Sequence, residues 1–202
     1  MSALHTIIII AGPTGVGKTT VAKALQRKYK QLKASVTFTT RTPRPQAKED
    51  KKVYFVSNKE FKQRLAKKEF LEWALVHKKY YGTHRAKTLE LLEKYPVIFN
   101  IDVQGARQLM RHFPDNCISI FLMPESSEQI IEHIRQRGPI DPKDLENRLK
   151  SSKKEILASR YFDHIIVNNE GKVRHTINTI EKIILPYISL NPKIVDKKTK
   201  IR

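Results

Sequence analysis

The residues with the clearest chemical potential form a glycine-rich segment that ends in a lysine and a threonine. The segment completes the pattern G-x-x-x-x-G-K-[ST], and its members are Gly12, Pro13, Thr14, Gly15, Val16, Gly17, Lys18 and Thr19. Glycines let successive backbone N–H groups turn toward one ligand, and such an array binds phosphate. A lysine adds a point charge there, and a threonine hydroxyl can ligate Mg²⁺. The pattern predicts a site for the phosphates of a nucleoside triphosphate.

The segments on either side of this loop support that prediction. An apolar run over residues 6–10 predicts a buried strand, and residues 20–29 predict a helix that begins at Thr20. The amino end of such a helix adds partial positive charge beside bound phosphate. We therefore include Thr20 in the predicted nucleotide site.

Composition restricts the class of protein. The 202 residues fit one domain with inserted lobes, and Cys117 is the sole cysteine, which excludes an intrachain disulfide and fits a reducing cytoplasm. The apolar run near the start is too short to span a bilayer, so we expect a cytoplasmic protein without membrane association. The seven histidines show no metal-binding spacing.

The chain is strongly basic, with a formal net charge of +19. That balance fits a nucleic-acid binder, a protein with phosphate-bearing substrates, or an organism whose proteins are generally basic. The lysines are scattered, and no basic motif interleaved with aromatic residues is present. We expect no specific nucleic-acid partner, although nonspecific binding at low salt is expected.

Strands and helices alternate along most of the chain. Residues 97–101, 118–122 and 164–167 predict further buried strands, and residues 105–112 and 172–184 predict helices. This order predicts an α/β fold whose parallel sheet is covered by helices on both faces, with the glycine-rich loop at the carboxyl end of the first strand.

Two segments interrupt the alternation. Residues 35–40 and 53–56 predict antiparallel strands within a small inserted lobe of mixed strands, followed by a capping box at Ser57–Glu60. Residues 124–154 predict two helices with a break at Gly138–Pro139, an arrangement typical of a mobile lid. The predicted organisation is a core of residues 1–34, 86–124 and 156–188, a lobe of 35–85, a lid of 125–155 and a frayed basic tail of 189–202.

Short motifs spread over about residues 5–187 give the chain a recognisable pattern. Besides the glycine-rich loop they are TTRTPR at 39–44, EFLEWA at 69–74, YYGT at 80–83, IDVQG at 101–105, RG at 137–138, NRL at 147–149 and IVNN at 166–169. With these motifs in this order, the chain resembles the guanylate kinase family. The resemblance implies a P-loop kinase that transfers the γ-phosphate of ATP to GMP or dGMP with Mg²⁺, as a monomer or homodimer.

The resemblance also implies a set of acceptor-binding residues. These are Thr37, Arg41, Arg44, Glu72, Tyr81, Thr83 and Asp102. Arginine forks and a tyrosine hydroxyl suit the phosphate of GMP. Glu72 can accept hydrogen bonds from guanine N1–H and the 2-amino group, two donors that adenine lacks.

The resemblance assigns the catalytic roles by position in the motifs. It implies that Lys18 and Arg41 act together with Arg137 and Arg148, two arginines supplied by the lid. Thr19 and Asp102 would hold the Mg²⁺ ion. Phosphoryl transfer of this kind depends on positioning and charge neutralisation, and an anionic acceptor phosphate needs no general base.

The chain departs from the family pattern at three places. Asn100 stands two positions before Asp102, where an acidic residue is usual. Val53 falls where a phosphate-binding tyrosine is expected, and the adjacent Tyr54 would point to the other face of a strand. His133 replaces the usual first lid arginine, a role that Arg135 could partly fill.

Three hypotheses remain open at this point. They are an active GMP kinase, a kinase of this fold with a shifted phosphate-ester acceptor, and a guanylate-kinase-like protein-binding module. The intact Lys18–Thr19 pair argues against the binding module, which has no need of a metal-ligating hydroxyl. Of the aromatic residues in the motifs, we expect Trp73 and one of Tyr80 and Tyr81 to pack in the core.

Overall fold

The computed structural model describes residues 4–43, 53–136 and 138–188. The strands are β1 (Ile7–Ala11), β2 (Lys33–Ala34), β3 (Thr37–Thr39), β4 (Val53–Phe55), β5 (Phe70–Val76), β6 (Lys79–His84), β7 (Val97–Asn100), β8 (Cys117–Pro124) and β9 (His164–Asn168). The helices are α1 (Lys18–Lys28), α2 (Asn58–Ala66), α3 (Arg85–Leu92), α4 (Val103–His112), α5 (Ser127–Arg135), α6 (Pro142–Leu157) and α7 (Val173–Ile188).

A five-stranded parallel sheet forms the centre of the fold, in the order β2-β7-β1-β8-β9. All five residues of β1 are buried, because helices cover both faces of the sheet. Ile8 and Ile10 belong to the core on the side of α1 and α7, and Ile7 and Ile9 to the core on the side of α4. The predicted α/β architecture is confirmed.

A second, four-stranded sheet has the order β4-β3-β6-β5. β6 pairs antiparallel with both β3 and β5, but β3 and β4 pair parallel. The expectation of antiparallel strands over 35–40 and 53–56 was therefore wrong. The connection from residue 40 to residue 52 is long enough for the crossover that parallel strands require. β5 was not predicted from the sequence.

The second sheet packs one face against α2. Phe38 and Phe70 of the sheet form an apolar cluster with Phe61, which is fully buried on that helix. Tyr80 stacks on Phe61 with ring centroids 5.1 Å apart, so it is the packing tyrosine of the YYGT motif. Because side chains alternate along a strand, the other face of this sheet is left for polar residues.

The outer strand of this sheet, β5, is held by glutamine side chains of α4. Gln108 donates to the backbone oxygen of Trp73 at 2.6 Å and accepts from its backbone nitrogen at 3.2 Å. Gln104 donates to the backbone oxygen of Leu75 at 3.4 Å. The side chain of Trp73 is 38% exposed, so the expectation that it belongs to the core was wrong: it lies on an edge strand.

Two helices with a break between them follow β8, as predicted. α5 ends at Arg135 and α6 begins at Pro142, where the Asp141 side chain caps the helix by accepting from the backbone nitrogens of Lys143 and Asp144. Of the helices in the described ranges, none has both the length and the apolar character needed to cross a bilayer.

The N-cap of α2 gives a prediction for stability. Ser57 Oγ accepts from the backbone nitrogen of Glu60 at 3.1 Å and satisfies one amide of the first turn. Ser57→Ala should lower the free energy of unfolding by about 1 kcal/mol, measured by urea denaturation. Ser57→Asp keeps an acceptor at the cap and is the matched control. Equal losses in the two variants would show that the cap does not stabilise the helix.

Candidate active site

The glycine-rich loop joins β1 to α1 at the carboxyl edge of the central sheet, where the sequence predicted it. Gly12 has a φ of 141°, and a Cβ atom there would lie 2.4 Å from the backbone oxygen of Leu122. Only glycine fits both the backbone angle and this close approach to β8. Lys18, the first residue of α1, donates from Nζ to the backbone oxygens of Gly12 and Pro13 at 2.5 and 2.9 Å.

The remaining predicted loop residues surround this turn. Thr14 Oγ1 lies 3.4 Å from Nε2 of His77, a residue of the β5–β6 turn. Gly15 and Val16 are buried, and Thr20 is exposed on the first turn of α1. The loop residues therefore meet the second sheet as well as the central one.

Thr19 and Asp102, the predicted metal ligands, lie at the ends of neighbouring elements. Thr19 Oγ1 accepts from Asn100 Nδ2 at 2.9 Å, because Asn100 ends β7 opposite Ile10 of β1. Asp102 caps α4 by accepting from the backbone nitrogen of Gly105 at 2.9 Å. A hydroxyl and a carboxylate are oxygen donors of the type that Mg²⁺ takes, so the residues fit that ion.

The pKa of Asp102 is raised from its ordinary value, although several contacts oppose the shift. Burial raises it, while the hydrogen bond from the Gly105 backbone and the positive charge of Lys18 lower it. The second carboxylate oxygen accepts from Gln104 Nε2 at 3.1 Å. The carboxylate of Asp102 is thus close enough to Lys18 to interact with its charge.

Four of the predicted acceptor residues share one face of the second sheet. Thr37 pairs with Thr83, and Thr83 pairs with Glu72, so these side chains form a row across β3, β6 and β5. Tyr81 lies two residues from Thr83 on β6 and hence on the same face. Thr83 Oγ1 donates to Glu72 Oε1 at 2.5 Å.

Glu72 is a buried carboxyl group, with 3% of the residue exposed. Burial raises its pKa to about 7; the negative charge of Asp102 also raises it, and the Thr83 hydrogen bonds lower it. A Cβ atom at position 105 would lie 2.1 Å from Glu72 Oε2, so the carboxyl group can rest against the first turn of α4 only because residue 105 is glycine. The site therefore holds a partly protonated acceptor for hydrogen bonds at neutral pH.

Arg41 lies two residues after the last residue of β3, at the carboxyl end of that strand. Its guanidinium carbon lies 5.1 Å from the centre of the Phe55 ring, and Nη1 donates to the backbone oxygen of Thr42 at 2.9 Å. Thr39, two residues earlier, pairs with Tyr81. Arg44 and Arg137 lie outside the described residues.

The register of β4 shows which face of the second sheet carries Val53 and which carries Tyr54. Val53 pairs with Thr37 and shares its face, whereas Tyr54 pairs with Phe38 on the opposite face. The rings of Tyr54 and Phe38 stack with centroids 4.6 Å apart. The Tyr54 hydroxyl therefore does not reach the face that carries Thr37 and Thr83.

His77, to which no motif assigned a role, stands at the tip of the β5–β6 hairpin. His77 and Lys78 both have positive φ, 47° and 63°, an arrangement that two-residue hairpin turns favour but that glycine and asparagine usually occupy. Burial lowers the pKa of His77, the charges of Arg148 and then Lys18 lower it further, and Asp144 opposes them. Arg148 of α6 thus approaches the hairpin tip and the loop.

Glu155 is a second residue that no motif indicated. Burial raises its pKa to about 7, with Lys18 lowering it and Asp102 raising it. Its carboxyl group comes from α6 and accepts from Ser151 Oγ at 3.4 Å. It adds a further acidic group that interacts with Lys18.

The raised pKa of Glu72 gives a prediction for stability. Its contribution is fully present below the unfolded pKa, near 4.5, and is lost as pH rises through about 7, where the fold must hold a buried charge. Glu72→Gln cannot ionise, so it should gain roughly 1–3 kcal/mol over the wild type between pH 4.5 and pH 8.5. Urea unfolding at both pH values measures this. The control Glu93→Gln removes an exposed carboxylate; a similar gain there would contradict the prediction.

Comparison with known proteins agrees with this geometry. The family model described as guanylate kinase matches residues 4–186. The guanylate kinase of Prochlorococcus marinus subsp. pastoris is 40% identical over 185 residues, covering 91% of this chain and 99% of its own. That of Helicobacter pylori is 38% identical over 181 residues, covering 89% and 87%.

A solved structure agrees with these sequence matches. The crystal structure of guanylate kinase from Anaplasma phagocytophilum matches with a TM-score of 0.71 at 27% identity, over 94% of this chain and 89% of its own. Sequence and fold thus agree over almost the whole described chain. This chain belongs to the guanylate kinase family.

Proposed function

We propose that this protein transfers the γ-phosphate of ATP to GMP and dGMP, producing ADP and GDP or dGDP. The observation that carries the proposal is the pair of Glu72 and Thr83, a buried carboxyl group fixed by a hydroxyl on the sheet whose β5–β6 turn contacts the glycine-rich loop. None of the comparisons favours a protein-binding module or another acceptor.

We assign one substrate to the part of the chain around each sheet. We assign residues 1–34, 86–124 and 156–188 to the core that holds ATP, 35–85 to the lobe that holds GMP, and 125–155 to a lid. The contact between Thr14 and His77 supports this assignment, since it joins the ATP loop to the proposed GMP lobe. The tail of 189–202 lies outside the described residues.

The base of GMP would be read by the row of polar residues on the second sheet. An ionised Glu72 accepts from guanine N1–H and the 2-amino group, and Thr83 lies beside it with Thr37 next in the row. Adenine offers neither donor and would leave a buried charge without a partner, so the site rejects it strongly. Arg41, Arg44 and Tyr81 would hold the phosphate.

Transfer would then depend on neutralising and orienting the phosphates. Lys18 would exchange its bonds to the Gly12 and Pro13 backbone oxygens for phosphate oxygens. Arg137 and Arg148 would stabilise the transferring group from the lid, with Arg41 on the acceptor side. Closure of lid and lobe would exclude water, which otherwise competes as the acceptor.

Thr19 and Asp102 are the residues we propose to hold Mg²⁺. When bound with ATP, Mg²⁺ neutralises charge on the phosphate oxygens. Thr19 supplies a hydroxyl oxygen already oriented by Asn100, and Asp102 supplies a carboxylate close to Lys18. We place the reaction in the cytoplasm, in keeping with a chain that has one cysteine.

A coupled assay of ADP release with ATP, Mg²⁺ and a panel of nucleoside monophosphates tests the function. GMP and dGMP should be phosphorylated, with a preference of at least ~10³ over AMP, CMP and UMP in kcat/KM. Glu72→Gln should reduce that preference, because the amide replaces one of the two acceptor oxygens that pair with guanine by an NH2 donor and removes the negative charge.

The control for this assay is Lys18→Ala, which should remove nearly all transfer without changing the thermal midpoint greatly. Wild-type turnover in that variant would contradict the ATP site. Equal rates with AMP and GMP would contradict the guanine site while leaving a kinase.

The metal site gives a separate prediction at Asn100. A carboxylate at this position would accept from the Thr19 hydroxyl and add a negative charge beside the metal, and a unit charge ~6 Å away contributes roughly 3 kcal/mol at an effective dielectric of about 20. Asn100→Asp should therefore lower the Mg²⁺ concentration for half-maximal activity at saturating ATP and GMP. The nucleotide KM values should move less.

Asn100→Ala is the matched control for charge. It loses the hydrogen bond to Thr19 without gaining a carboxylate, so its Mg²⁺ requirement should not fall. If the titration curve of Asn100→Asp stays in place or moves to higher Mg²⁺, position 100 does not tune the metal.

A further inference from the structure

Two side chains from outside the glycine-rich loop bind its backbone oxygens. His133 Nδ1 lies 2.7 Å from the oxygen of Gly15, and Asn168 Nδ2 donates to the oxygen of Val16 at 2.9 Å. In a trans peptide the C=O and N–H groups point in opposite directions. Donors bound to these oxygens therefore fix the orientation of two loop peptides, which carry the amide nitrogens of Val16, a donor to the Pro13 oxygen at 3.3 Å, and of Gly17.

The Asn168 contact is fixed by further hydrogen bonds. Its Oδ1 accepts from Thr176 Oγ1 at 2.7 Å, which orients the amide so that Nδ2 faces Val16. Its backbone oxygen accepts from Gln129 Nε2 at 2.8 Å. Asn168 is 5% exposed and has no titratable group, so this half of the support does not depend on pH.

The His133 contact has a different property, because both ring nitrogens face acceptors. Nε2 lies 3.0 Å from Glu170 Oε2, while Nδ1 faces the Gly15 backbone oxygen. A neutral imidazole has one N–H and can donate to only one of them, which leaves the other contact between two acceptors. Only the imidazolium ion donates to both.

The group facing Nε2 is held as a carboxylate. Gln129 Nε2 donates to the same Oε2 at 3.2 Å, and the backbone nitrogen of Glu170 donates to Glu125 Oε2 at 2.9 Å. The Gln129 hydrogen bond and then the charge of His133 lower the pKa of Glu170. Glu170 therefore keeps its charge over the range in which histidines titrate.

The other charged groups near these elements are engaged elsewhere or point outward. On the loop side, Lys18 donates to backbone oxygens of the loop. On α5, Glu132 accepts from Gln136 at 3.0 Å, and Arg135 is exposed. Glu170 is thus the acidic partner of the His133 ring.

We propose that protonated His133, held by Glu170, is a positioning residue that makes the affinity for the donor nucleotide depend on pH. The inference rests on the proposed ATP site. When the proton is lost, one of the two contacts of the ring is broken and the Gly15 peptide loses its support. The loop backbone is then held less firmly in its folded turn, and nucleotide affinity falls.

Calorimetric titration with Mg·ADP at pH 6.0 and pH 8.5, without GMP, tests this proposal. The wild type should bind about tenfold more weakly at the higher pH, the loss expected for one charge-assisted hydrogen bond. His133→Asn keeps an N–H donor at the position of Nδ1 but cannot titrate. Glu170→Gln can turn its amide N–H toward a neutral Nε2. Both variants should show a pH dependence smaller by about fivefold or more, and titration of ADP itself cancels because all three proteins meet the same ligand.

Proton uptake gives a readout that a purely structural role would not move. By linkage, if the protonated form binds ADP better, then binding at pH 7.5 must draw a proton into the wild type. Titrations in two buffers of different ionisation enthalpy measure that uptake, which should be smaller in His133→Asn, while any contribution of Glu155 beside Lys18 remains in both proteins. An equal pH dependence and equal uptake in wild type and variants would overturn the proposal. Absence of ADP binding to every protein at every pH would instead overturn the ATP site on which it rests.

Discussion

The pairing of β6 with its two neighbours is the interaction on which the acceptor side depends. It sets Thr37, Thr83 and Glu72 opposite one another, and neither the row nor the Thr83–Glu72 hydrogen bond could form in another register. A slip of one residue would exchange the polar face for the aromatic one. The α2 cluster resists that slip, because Phe61 and Phe70 fill the opposite face closely around Gly82.

Buried carboxyl groups lie near Lys18 and near one another, between the glycine-rich loop and the second sheet. Burial raises the pKa values of Glu72, Asp102 and Glu155, and Lys18 is the positive charge that opposes this for the last two. Such an arrangement holds carboxyl groups that are poorly solvated until ligands arrive with hydrogen-bond donors and cations. These buried carboxyl groups lower the stability of the free protein, and ligand binding can restore that stability. Such an arrangement is common in active sites.

The sequence predicted the central sheet and the glycine-rich loop well, because both have strong local signals. A buried parallel strand is apolar throughout, and the loop pattern is complete from Gly12 to Thr19. It failed for β5 and for the parallel pairing of β3 with β4, since strand partners are chosen by tertiary contacts. His77 and Glu155 were missed for a related reason: each gains its role only when elements distant in the chain meet. His133 was identified as a departure from the family pattern, but its contact with the Gly15 backbone was not predicted.

The glutamines of α4 have a consequence for how this protein behaves among copies of itself. An edge strand has unpaired backbone N–H and C=O groups that can pair with a strand of another chain. β5 is an edge strand, and it also carries the exposed side chains of Trp73 and Leu75. Gln108 occupies both backbone groups of Trp73 and so imitates one residue of a neighbouring strand. The backbone groups of Trp73 are thereby closed to pairing with another strand by a side-chain amide, without a proline or a covering strand at that position.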